Sequence, residues 1–194
     1  MKIFIDAGHG GNDPGAVNPR LGLQEADLAL EIGQALSIIL KSRGHNVKNT
    51  RQTREETPVP SSKNRDLAAR AAMANSFGAD CFISIHLNGY SSELANGFEI
   101  FRAAVAGNEA EQLGVNIVQE LIKMIPDLKV RKNTNGGVVK QAGFAVLRLT
   151  NMPAVLIECG FISNDKEAIQ LSKTEYQNTF ATAIAAGLES WYGS

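Results

Sequence analysis

The feature that most restricts this chain is an alternation. Short, nearly continuous apolar runs recur along it, and stretches with helical spacing separate them. The runs IFI at 3–5, CFISIHLN from Cys81 and PAVLIECGF from Pro153 have the character of strands covered on both faces, where neither side of the pleat has to be polar. QEADLALEIGQALSIILKSRG places Leu28, Ile32, Leu36, Ile39 and Leu40 at three- and four-residue intervals. That spacing predicts an amphipathic helix of about five turns, stopped at Gly44. HNVKNTRQ reads as a second strand, and SSKNRDLAARAAMANSFGAD as an Ala-rich helix marked by Leu67, Ala71, Ala74 and Phe77. The pattern continues with GFEIFRA as a strand, NEAEQLGVNIVQELIKMI as a helix closed by Pro126, and FAVLRLT as a further strand. The tail from Asn164 supplies one or two helices, with Leu171, Phe180, Ile184 and Leu188 pointing inward.

Such an order builds a mostly parallel sheet whose right-handed crossovers place helices on both faces. The expected fold is therefore α/β, a single three-layer domain over residues 1–194, with no internal repeat and no composition break to mark a linker. The segment KVRKNTNGGVVKQAG, residues 129–143, is polar and glycine-bearing and reads as a mobile surface loop.

Composition narrows the function. The chain carries 19 Lys and Arg against 20 Asp and Glu, a formal charge of -1, so no broad field draws it to nucleic acid or to acidic membranes. It has no run of about 18 apolar residues, which argues against membrane insertion, and no charged start leading into an apolar stretch of the signal-peptide kind. Cys81 and Cys159, the 2 cysteines, lie inside strand-like runs and are expected as reduced core thiols, because a disulfide framework needs more of them.

Open parallel sheets form their sites beyond the carboxyl ends of the strands. His9 follows the first apolar run, His86 ends CFISIH and Glu158 ends AVLIE. Glu25 begins the first helix and, at 100° per residue, shares a face with Ile32 and Leu36, whereas Asp27 and Glu31 do not. Each residue also has a plainer reading. Glu25 is a first-turn acid favoured by the helix dipole, His9 or His86 alone is a satisfied core or capping histidine, and Glu158 pairs with Arg148. His45, in the RGHN turn, reads as an ordinary surface histidine. The GHGG glycines are a poor phosphate loop, since no Gly-Lys-Ser or Gly-Lys-Thr follows; they suit a tight turn beside an ion and a substrate. Taken together, two of the 3 histidines and two carboxylates at one end of one sheet suit a divalent metal. Two imidazoles and a carboxylate with an open position are the donors of a catalytic zinc site, and Glu158 is then left for proton transfer.

Several segments, in order, carry a resemblance: IDAGHGGNDPGA, QEADLAL, TRQT, ADCFISIHLN, NGFEIF and VLRLTNMPAVLIECGFISN. Over nearly its full length the chain resembles the zinc-dependent N-acetylmuramoyl-L-alanine amidases of the cell-wall amidase type 3 family. The resemblance implies a twisted six-stranded sheet, one Zn2+ per chain held by His9, Glu25 and His86, and Glu158 as the catalytic glutamate. It also implies peptidoglycan as the substrate, cut at the amide between N-acetylmuramic acid and L-alanine. The alternatives are a zinc peptidase cutting within the stem peptide and a non-catalytic wall-binding module. Asn88, two residues past His86, is a candidate substrate contact, and Arg148 a candidate partner of Glu158 or of a peptide carboxylate; both also have structural readings. The segment from Ala103 to Gly143 matches no family motif closely. Family members commonly carry a wall-binding module or an export signal, and neither is read here. The expectation is a monomeric catalytic domain acting at the bacterial cell wall, reached through lysis or through an export segment missing from this sequence.

Overall fold

The three apolar runs lie side by side at the centre of one sheet. A computed structural model describes residues 1–193; Ser194, the last residue of the expected domain, lies outside the described residues. The chain runs through β1 (Lys2–Ala7), a short hairpin of β2 (Val17–Asn18) and β3 (Leu23–Gln24), α1 (Glu25–Ser42), β4 (Asn46–Asn49), α2 (Lys63–Phe77) and β5 (Cys81–Asn88). It continues through β6 (Glu99–Ala103), α3 (Asn108–Met124), β7 (Val139–Ala142), α4 (Ala145–Arg148), β8 (Ala154–Phe161), α5 (Asp165–Leu171) and α6 (Thr174–Tyr192). The six-stranded sheet has the order β4-β1-β5-β8-β6-β7. Strands β4, β1, β5 and β8 are parallel, while β6 and β7, parallel to each other, run against β8.

Register sorts the side chains onto two faces, because successive residues of a strand point to opposite sides. Ile3, Ile5, Ile83, Ile85, Val155, Ile157 and Ile100 belong to the larger core cluster, together with Leu36 of α1, Ile117 of α3 and Ile184 of α6. Phe4, Phe82 and Leu156 point the other way, into a smaller cluster with Ala74 of α2 and Val146 and Leu147 of α4. The first face is covered by three long helices. The second is covered by α2 and α4, and beside them the carboxyl ends of β5 and β8, at His86 and Glu158, open into a cleft.

Helix α3 and helix α6 approach closely at Gly187, where an added methyl would lie 2.5 Å from the Ile117 Cα. Both cysteines are free and buried, and burial pushes the Cys81 thiol up to about 12. Among the described residues, no helix is long and apolar enough to cross a membrane.

Three local expectations change. FAVLRLT is not a strand: Arg148 N–H donates to the Phe144 carbonyl (3.1 Å) and Leu149 N–H to that of Ala145 (3.0 Å), making the single turn of α4. The reason lies in Val146 and Leu147, adjacent residues both buried in the same layer, which a helical turn allows and a strand does not. Residues 129–143 are not simply a loop. Val130 bridges to Phe98, Asn133 closes a turn onto Gly137 (2.9 Å), and β7 follows, anchored by Val139 at 2% exposure. Its four-residue length hid it among polar neighbours. His45, finally, is largely covered: its Nε2 lies 3.1 Å from Glu189 Oε1 and its Nδ1 3.4 Å from the Met1 amine.

Candidate active site

One row of positions crosses the carboxyl end of the sheet. His86 on β5 is the register partner of Glu158 on β8, and Glu158 is the partner of Glu99 on β6, so the three side chains share the cleft face. Gly8, just past β1, completes the row: its N–H donates to the Ile85 carbonyl (2.9 Å). A side chain there would occupy the place of the imidazole, since an added Cβ would lie 2.3 Å from His86 Cε1.

Glu25, buried to 4% exposure at the start of α1, points into this row. Its Oε1 lies 3.0 Å from His9 Nε2 and 2.9 Å from His86 Nδ1, and it also accepts from the Leu87 N–H (3.0 Å). Its Oε2 accepts from the Ala16 N–H (2.8 Å). Glu25 is thus both the first-turn acid and the inward-facing one. Asp13 Oδ2 holds the far nitrogen of His9, Nδ1, at 2.9 Å, which leaves Nε2 to face the cluster.

One ligand atom from each of His9, Glu25 and His86 lies within 4.8 Å of the others. Burial alone would raise the Glu25 carboxyl, but hydrogen bonds from His86 and His9 hold it far below the usual carboxylate range. Burial alone would lower His86, yet the Glu25 hydrogen bond and the Glu158 charge raise it above its ordinary value. Donors that share protons so closely are the kind that exchange them for a metal ion, because metal binding releases ligand protons. Two imidazoles and one carboxylate, with the Asp13 carboxylate behind one imidazole, match the donors and outer support of a catalytic zinc site. Glu158 adds a second indication: its Oε2 is buried and no donor reaches it. Burial pushes its carboxyl up to about 7; the His86 imidazole opposes this, and the Glu25 and Glu99 charges add to it.

The loop carrying His9 is fixed from beneath. His9 is the one non-glycine residue with positive φ (59°) among those described, a conformation that costs roughly 1–2 kcal/mol. Two buried arginines hold the surrounding carbonyls. Arg70 donates to Ala7 O (2.9 Å) and His9 O (2.6 Å), and Arg51 to Ala7 O (3.1 Å) and Gly8 O (2.9 Å). Arg70 also pairs with Asp6 Oδ1 (2.9 Å), and Asp6 accepts from the Thr50 and Ser84 hydroxyls (2.6 and 2.8 Å). Burial works to raise the Asp6 carboxyl, but Arg70, Thr50, His86 and Ser84 together hold it below its ordinary 3.8.

Above the cluster opens a cleft of about 660 Å³, walled by Val59, Leu67, Phe144 and Val146 and floored by Leu156, Glu158 and His86. Asn88 lines it too. Arg148 does not pair with Glu158. It is exposed, and its Nε donates to the Gly143 carbonyl (3.1 Å); α4 turns it outward while its neighbours Val146 and Leu147 turn in. Glu99, Asp13, Asp6, Arg51 and Arg70 were not singled out from sequence. Charges placed inside apolar runs, Asp6 in IFIDA and Glu99 in GFEIF, were the available signal.

Known proteins share this architecture. A family model described as N-acetylmuramoyl-L-alanine amidase (Amidase_3) matches residues 3–190. The sporulation-specific N-acetylmuramoyl-L-alanine amidase of Bacillus subtilis (strain 168) is 36% identical over 189 residues, 97% of this chain and 67% of its own length. The uncharacterized protein YqiI of the same organism is 33% identical over 193 residues, 98% of this chain and 84% of its own. The crystal structure of an N-acetylmuramoyl-L-alanine amidase from Clostridium difficile 630 superposes with a TM-score of 0.88 at 30% identity, covering 100% of this chain and 97% of that one. The class these features define is that of the cell-wall amidases. The chain belongs to the amidase type 3 family of N-acetylmuramoyl-L-alanine amidases.

Proposed function

We propose that this chain is a zinc-dependent hydrolase of the amide joining the lactyl group of N-acetylmuramic acid to the L-alanine of the peptidoglycan stem. The observation that carries the reading is that one ligand atom from each of His9, Glu25 and His86 lies within 4.8 Å of the others, with Glu25 Oε1 3.0 Å from His9 Nε2 and 2.9 Å from His86 Nδ1, beside the unpartnered Oε2 of Glu158. His9, Glu25 and His86 hold one zinc ion per chain. Zinc in such a site supplies Lewis acidity toward the scissile carbonyl and lowers the pKa of water from 15.7 to about 7. Glu158 is the proton carrier: Oε2, which no protein donor occupies, takes a proton from the attacking water and returns it to the leaving alanine nitrogen. Asp13 keeps His9 in the tautomer that presents Nε2. The apolar wall of Val59, Leu67, Phe144 and Val146 excludes bulk water from the reacting bond. The site is complete within one chain, and the unit acts as a monomer at the bacterial cell wall, where the sporulation-specific amidase relative supports that reading.

Mass spectrometry of digested, purified sacculi tests this. The wild-type protein is expected to release free stem peptides beginning with L-alanine and to leave the glycan intact. Glu158→Gln is expected to keep its zinc while turnover falls about 10²- to 10⁴-fold. Stem peptides shortened by a terminal amino acid would instead identify a peptidase.

A further inference from the structure

We propose that Glu99 is a positioning residue. It fixes Asn88 with the side-chain carbonyl oxygen turned to the cleft, and that oxygen accepts a hydrogen bond from an amide N–H of the stem peptide. The inference rests on the amidase reading above.

Glu99 is buried to 8% exposure and stands next to Glu158 in the row across the sheet. Its two oxygens have separate duties. Lys140 Nζ and Arg131 Nε (3.5 Å) both address Oε1. Oε2 instead accepts from Asn88 Nδ2 at 2.7 Å. Two cations already balance the charge of Glu99, so its second oxygen serves the orientation of a neutral amide.

That orientation has one chemical outcome. An ionised carboxylate only accepts, so the amide must turn its NH2 toward Glu99 and its oxygen away. The backbone at this point is held independently, because the Asn88 carbonyl accepts from the Ile162 N–H (2.8 Å) across to the end of β8. Among the described residues none donates to Asn88 Oδ1, and that oxygen is not sealed from solvent. The side chain lines the cleft with His86 and Glu158. A fixed acceptor of this kind, next to the reacting groups, selects a hydrogen-bond donor on the ligand. The stem peptide supplies such donors as backbone N–H groups; the glycan supplies hydroxyls and acetamido N–H groups.

Calorimetry on the zinc-loaded Glu158→Gln protein separates these, with a synthetic N-acetylmuramyl tripeptide and the same compound methylated at its stem amides. Adding Asn88→Ala is expected to weaken binding of the first compound about fivefold, the loss of one ordinary hydrogen bond. Glu99→Gln is expected to weaken it as well, and the combination no more than Asn88→Ala alone. Methylation should weaken binding when Asn88 is present and make little further difference in Asn88→Ala. An Asn88→Ala protein that binds as before, effects of the two substitutions that multiply, or a methylation penalty equal in both proteins, as recognition of a glycan donor requires, would overturn the proposal. Unfolding midpoints show whether Glu99→Gln has lost structure; if it has, Asn88→Ala with the methylated compound decides the matter. A Glu158→Gln protein that still cleaves the tripeptide would contradict the catalytic reading, and the same binding comparison is then made on chelator-stripped protein, in which Asn88 and Glu99 are unchanged.

Discussion

His9 sits in a backbone conformation that a non-glycine residue rarely adopts, with φ at 59°, and its two ring nitrogens face different partners. Asp13 engages Nδ1 at 2.9 Å, and Nε2 meets Glu25 at 3.0 Å. A carboxylate behind a ligating imidazole fixes its tautomer and raises its basicity, and losing such a partner typically costs 10- to 100-fold in metal affinity. Asp13→Ala is therefore expected to weaken zinc binding by about tenfold or more, measured by competition with a chelator of known affinity; unchanged affinity would show that Asp13 only shapes the loop. At this scale the sequence revealed the residues that end apolar runs, His9, His86 and Glu158, because a strand leaving the core restricts where its last side chain can go. It did not reveal Asp13 or Glu99. Their importance lies in which atom they touch, and that depends on register across strands far apart in sequence.

Between elements, the decisive contacts are the buried charges under the loop after β1. Arg70 from α2 and Arg51 from the segment after β4 hold the carbonyls of residues 7–9, and Asp6 of β1 answers Arg70 at 2.9 Å. With its carboxyl held below the ordinary value, Asp6 contributes stability that is fully present above about pH 4 and is lost as pH falls through the depressed folded-state pKa. Denaturant unfolding of Asp6→Asn is expected to show a loss of roughly 1–3 kcal/mol at neutral pH, because Arg70 loses one charged hydrogen-bond partner and keeps Asp66 (2.6 Å). The loss of stability on acidification below pH 4 should be smaller than in the wild-type protein. An equal acid dependence in both would remove Asp6 from the account. Long elements were legible for a physical reason: α1 and α3 repeat their apolar spacing over several turns. Helix α4 and strand β7 hold four residues each, too few for any period to appear, and neighbours decide their structure.

For the whole molecule, the division of labour between the two sheet faces matters most. The larger core joins α1, α3 and α6 to one face through apolar side chains alone, while the site lies beyond the carboxyl end of the sheet, where α1 contributes only its first residue, Glu25. Folding should therefore not depend on the metal. Protein stripped by a chelator is expected to keep its far- and near-ultraviolet circular dichroism and to lose only the stabilisation that ligand binding adds to the folded state; unfolding on stripping would mean that zinc is structural. The α/β class and the parallel centre of the sheet were readable from the order of apolar runs, whereas the reversal of β6 and β7 against β8 was not, because strand direction leaves no mark on a run of that length. The most direct measurement is anomalous diffraction at the zinc edge from crystals grown with one equivalent of zinc. A single peak about 2.0–2.2 Å from His9 Nε2, Glu25 Oε1 and His86 Nδ1 is the predicted result, and a peak elsewhere, with none at these three atoms, would contradict it.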